Sequence, residues 1–72
     1  MSELAGAALS RLDRARGTAR CMVTWELKAA LASEPEGTTL WLALCEEATA
    51  RVKWGSLNAR HVPASYSLEE AS

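Results

Sequence analysis

The sequence contains no phenylalanine and no isoleucine, and only three valines, so it lacks the side chains from which β-sheet cores are usually built. In their place stand 14 alanines and 10 leucines, residues that lose little freedom in a helix. An all-α fold is the expectation. The two cysteines, Cys21 and Cys45, are too few for the disulfide framework of a small secreted domain, and a reducing, cytoplasmic setting is expected. Long apolar runs are missing as well. The longest, Leu40 to Cys45, is six residues, against about 20 for a bilayer span. The opening Met1-Ser2-Glu3-Leu4 has neither the basic nor the apolar region of a signal peptide, so export by that route is not expected. A net charge of -1 provides no bulk attraction to nucleic acid or membrane.

Within 72 residues there is room for one domain, and a single core of that size seldom supplies more than roughly 3 to 5 kcal/mol. Residues 1–62 read as the helical domain and residues 63–72 as a flexible acidic C-terminal tail. From the capping residue Ser2, apolar side chains recur at helical spacing through Leu4, Ala8, Leu12, Ala15, Ala19, Val23, Leu27 and Ala30. The pattern predicts one long helix over about residues 3 to 32, with Gly17-Thr18 as its weakest point. Ser33 to Gly37 then collects a proline and a glycine and ends it. Thr38 or Thr39 caps a second helix carrying Trp41, Leu44, Cys45, Ala48 and Val52 on one face. At Gly55-Ser56 that helix either stops, leaving a short third helix to Val62, or continues to Pro63. Two long helices joined by a short loop predict an antiparallel hairpin.

Each helix of an isolated hairpin needs one apolar stripe, yet each of these carries a second strip with a tryptophan. On the second helix Ala43, Ala50, Trp54 and Leu57 share a face that Glu47 interrupts. On the first, Cys21, Trp25 and Ala29 lie opposite the main arc, with Lys28 beside them. Contiguous apolar surface marks association, and tryptophan is enriched at binding hot spots. The expected assembly is therefore a homodimer forming a four-helix bundle, with Ala43, Ala50, Trp54 and Leu57 at the dimer interface. A protein partner is expected to contact Trp25, Cys21, Ala29 and Lys28, with Tyr66 and Leu68 of the tail assisting.

Chemistry-bearing residues are sparse. His61, the single histidine, has no carboxylate within four residues, and the set Cys21, Cys45 and His61 lacks metal-ligand spacing. No metal, no cofactor and no enzymatic activity are expected, because nucleotide-binding glycine loops and nucleophile motifs are absent from the sequence. Arg11, Arg14, Arg16 and Arg20 lie within ten residues, but on a helix they divide between two flanks of the apolar arc. An alternative reading takes residues 50–62 as a helix-turn-helix segment that offers Asn58, Arg60 and His61 to DNA, with the four arginines on phosphates. The preferred expectation is a small helical regulator or inhibitor of bacterial or phage type that acts by binding a protein.

Overall fold

The computed structural model describes residues 2–66, with side chains from residue 10 onward. Among these residues the chain is all-helical and contains no strand. Three α-helices, α1 (Ser2–Cys21), α2 (Thr24–Ser33) and α3 (Thr39–Lys53), precede a single 3-10 turn at Ala59–His61. No helix among them is long and apolar enough to cross a membrane.

The expected long helix is split, and the split is not at Gly17. That glycine lies exposed inside α1, where its cost of about 1 kcal/mol relative to alanine is absorbed by the helix around it. The chain breaks instead at Met22-Val23. Met22 N–H donates back to the Ala19 carbonyl at 3.2 Å, tightening the last turn, and Val23 is extended at φ -73° and ψ 160°. Valine has no side-chain acceptor with which to cap α2, but the Glu26 carboxylate reaches back and accepts from the Val23 N–H at 3.2 Å. Local propensity therefore does not choose the break. It is chosen by packing, since it lets Leu27 and Leu31 join Ala19 in one core against α3.

Helix direction follows from long-range contacts. Arg16 bonds Glu46, and Arg51 bonds the carbonyls of Ala19 and Met22, at separations of 30, 32 and 29 residues. A near-constant difference means that α1 and α3 run the same way; antiparallel neighbours would instead keep a constant sum. The α2 segment, about 15 Å long at 1.5 Å per residue, carries the chain back between them. The two-helix hairpin is thus replaced by a three-helix arrangement in which α1 and α2 both pack on α3.

Helix α3 begins as its sequence implies. The Thr38 hydroxyl oxygen accepts from Trp41 N–H at 3.1 Å, after a turn in which Gly37 takes φ 86°. The helix stops at its C-terminal glycine. Gly55, at φ 83°, donates to Val52 and Ser56 donates to Arg51, the paired bonds of a Schellman motif. The chain then turns inward at Leu57, and the third helix reduces to one 3-10 turn capped by Asn58, whose side chain accepts from Arg60 N–H at 3.0 Å. The core comprises Leu27, Leu31, Trp41, Leu44, Cys45 and Ala48, with Ala19 and Leu57 closing its sides. Val62 and Tyr66 pack on it, and Tyr66 meets Trp41 edge to face with ring centroids 5.8 Å apart. The boundary expected at residue 63 is therefore not a packing boundary.

Candidate functional site

Three tryptophans in one small domain have opposite fates. Trp41, on the inner face of α3, is 5 % exposed, whereas Trp25 in the first turn of α2 is 70 % exposed and Trp54 at the end of α3 is 83 % exposed. Val23 is 49 % exposed, although helical spacing had assigned it to the inner arc. It falls outside that arc because the helix stops before it.

One side chain brings these exposed groups to a common end of the molecule. Arg51, in the last turn of α3, is mostly buried; it bonds the Glu47 carboxylate at 2.8 Å and donates from Nη2 to the carbonyls of Ala19 and Met22. Both carbonyls lie where α1 ends, that of Ala19 also accepting from Met22 N–H, so the guanidinium both caps α1 and fixes the α1–α2 corner onto α3. Val23 and Trp25 follow Met22 within three residues, and Trp54 follows Arg51 by three. The exposed aromatics thus share the end that Arg51 ties together. The sequence signal for this clamp is Glu47 four residues before Arg51, a favourable helical ion-pair spacing. Read only as an interruption of an apolar strip, Glu47 was missed as one half of it.

A half-open groove of about 440 Å³ runs between α1 and α3 below this end, lined by Arg16, Arg20, Ala43, Glu46, Glu47 and Ala50. Arg16 is held by Glu46 through two bonds of 3.2 and 3.3 Å, with Asp13 at 3.8 Å. Arg20 is exposed and has no ion pair among the described residues. Ala43 forms the buried floor.

The expected site residues separate accordingly. Of the dimer strip, Ala43 and Leu57 are buried in the chain's own core, Ala50 is half-buried, and Trp54 alone is fully presented. Leu57 leaves the strip because Gly55 ends the helix and redirects the chain inward. Of the partner strip, Trp25, Cys21, Ala29 and Lys28 are exposed. They do not form one helical stripe, since Cys21 ends α1 while the others lie on α2. Tyr66 is half-buried against Trp41 rather than free on a tail, and Leu68 lies outside the described residues. Burial raises the Tyr66 hydroxyl pKa above 10.0, as do the Glu46 and Cys45 charges, against an opposing effect from Arg16. Arg11, Arg14 and Arg60 are exposed, as is Asn58, while Arg16 is engaged by Glu46. The segment imagined as a recognition helix is the 3-10 turn, too short to lie along a groove of DNA.

Burial, with the Glu36 charge, pushes the Cys45 thiol up to about 11, leaving a small apolar packing group. Desolvation and the charges of Lys28 and Arg60 lower the His61 pKa. Both cysteines are free, and no group of three metal-ligating side chains gathers among the described residues. Compared with known proteins, the chain matches no family model, no curated protein and no solved structure. Its functional reading rests on its own side chains.

Proposed function

We propose that this chain is a small non-enzymatic interaction module, a helical regulator or inhibitor of bacterial or phage type, whose contact surface is the end bearing Val23, Trp25 and Trp54. The observation that carries the reading is the exposure of two of three tryptophans at one end, while a core that needs apolar area leaves them out. A tryptophan in water forgoes much of the benefit of burying roughly 150 to 250 Å², and a partner supplies that benefit on docking. Rigid rings held at the ends of helices also lose little entropy when they bind.

A homodimer belongs to the same proposal in altered form. With Ala43 and Leu57 committed to the core, Ala50 and Trp54 are what remains of the expected seam for a second copy. The DNA-binding alternative has less support, because its reading helix is one 3-10 turn and one of its phosphate-facing arginines is paired.

The test is affinity capture from a bacterial lysate with wild type, Trp25→Ala and Trp54→Ala side by side, together with sedimentation equilibrium of each. A specific partner, or a dimer mass, that is lost in either variant while helical circular dichroism persists is the expected result. Capture and mass that are indifferent to both substitutions would remove the proposed surface.

A further inference from the structure

We propose that the partner segment is acidic as well as apolar, and that it seats in the α1–α3 groove with a carboxylate on Arg20 and an apolar side chain on Ala50 beside Trp54. The inference rests on the interaction role proposed above and adds the chemistry of the partner. Three observations converge on it. The first is position: Ala43, Glu47 and Ala50 line the groove at spacings of four and three, and Trp54, four residues on, caps the same face of α3 with an exposed ring. Half-buried Ala50 gives an inserted apolar side chain a place on that face.

The second observation is charge. Glu46 and Glu47, the two carboxylates of the groove, are already held by Arg16 and Arg51. Arg20 is left on the α1 rim without a carboxylate, and exposed Lys53, one turn above Ala50 on α3, likewise has none among the described residues. Arg20 is therefore the charged side chain of the groove lining that has no ion pair among the described residues, in a chain of net charge -1. A carboxylate meeting a guanidinium at a partly desolvated rim gains a charge-assisted, bidentate bond.

The third observation selects the occupant. Two-fold pairing of the groove with its own copy would offer Arg20 only Glu46 and Glu47, carboxylates that Arg16 and Arg51 already hold. An acidic protein segment brings carboxylates that are not yet paired. Nor do the two cations amount to the phosphate-neutralising row that nucleic acid requires.

The test is selection from a random linear peptide library displayed on phage against the full chain, followed by titration of enriched peptides with wild type, Arg20→Glu, and the Trp25→Ala/Trp54→Ala double variant. Enriched peptides should combine Asp or Glu with large apolar side chains, weaken with rising salt, and lose affinity on the order of tenfold against Arg20→Glu. Because the Arg20 side chain bonds nothing else among the described residues, that variant should retain its circular dichroism; Arg20→Gln, with a smaller loss, provides the check. Neutral or basic winners, or winners indifferent to Arg20→Glu, would overturn the acidic assignment yet leave the interaction role standing if they need the tryptophans. Peptides that bind the double variant as well as wild type would overturn both. No enrichment, self-association through the groove, or adsorption to anionic lipid vesicles in place of peptide would likewise overturn the proposed occupant.

Discussion

The corner around Trp41 and the end around Trp25 and Trp54 use the same side chain for opposite purposes. At the corner, the first turn of α3 carries an indole that Tyr66 closes over, and the chain reaches 25 residues forward to bury it. At the other end, three helix termini converge on Arg51, and the indoles beside them stay in water. The difference lies in which way each faces. All three tryptophans lie near helix ends, but Trp41 faces inward, where the later chain returns to cover it, while Trp25 and Trp54 face away from the core. The end can present apolar rings because its backbone polar groups are already satisfied by Arg51 and by the Schellman bonds at Gly55.

Trp41→Ala tests the closed corner most severely. Removing a nearly buried indole from the core should cost about 3 to 5 kcal/mol, enough to unfold a domain of this size, and urea unfolding measures it. Arg51→Ala should cost about 2 kcal/mol, since it removes the guanidinium from the Met22 carbonyl and leaves Glu47 without its partner, while Ala19 keeps its bond from Met22 N–H. Arg51→Lys should recover only part of that loss, because an ammonium cannot reproduce the guanidinium fork. Amide exchange should quicken first at Met22 and Val23, where the corner opens.

Tyr66 offers a gentler test. Its pKa is raised in the folded chain, so the folded state holds the phenolic proton more tightly than the unfolded state. Its contribution to stability is complete below the ordinary value of 10.0 and is lost as pH rises through the folded value. Alkaline titration of the melting temperature should therefore fall more steeply in wild type than in Tyr66→Phe, which retains the ring but has no proton to lose.

Much of the helical layout was legible in the residues. The breaker cluster at Ser33 to Gly37, the Thr38 cap and the inner face of Trp41, Leu44, Cys45 and Ala48 all follow from local chemistry. The break at Met22-Val23 does not, because its stabilisation comes from Arg51, 29 residues away. Without that break a single helical wheel had to run through residues 3 to 32, which placed Val23 inside and merged Cys21 with Trp25 on one stripe. Leu57 leaves its expected strip for a related reason: of the two courses open at Gly55-Ser56 the chain takes the stop, where the backbone turns left-handed. The exposed Trp25 and Trp54 were visible as an excess of apolar faces. That they share one end depends on the parallel course of α1 and α3, which periodicity alone does not encode.

The central claim is that Trp25 and Trp54 serve contact and not the fold, and the smallest expected effect tests it most directly. Urea unfolding of the Trp25→Ala/Trp54→Ala double variant, at a dilution where the chain is free of partners, should give a stability within about 0.5 kcal/mol of wild type. A loss approaching that of Trp41→Ala would contradict the account and return both indoles to the core.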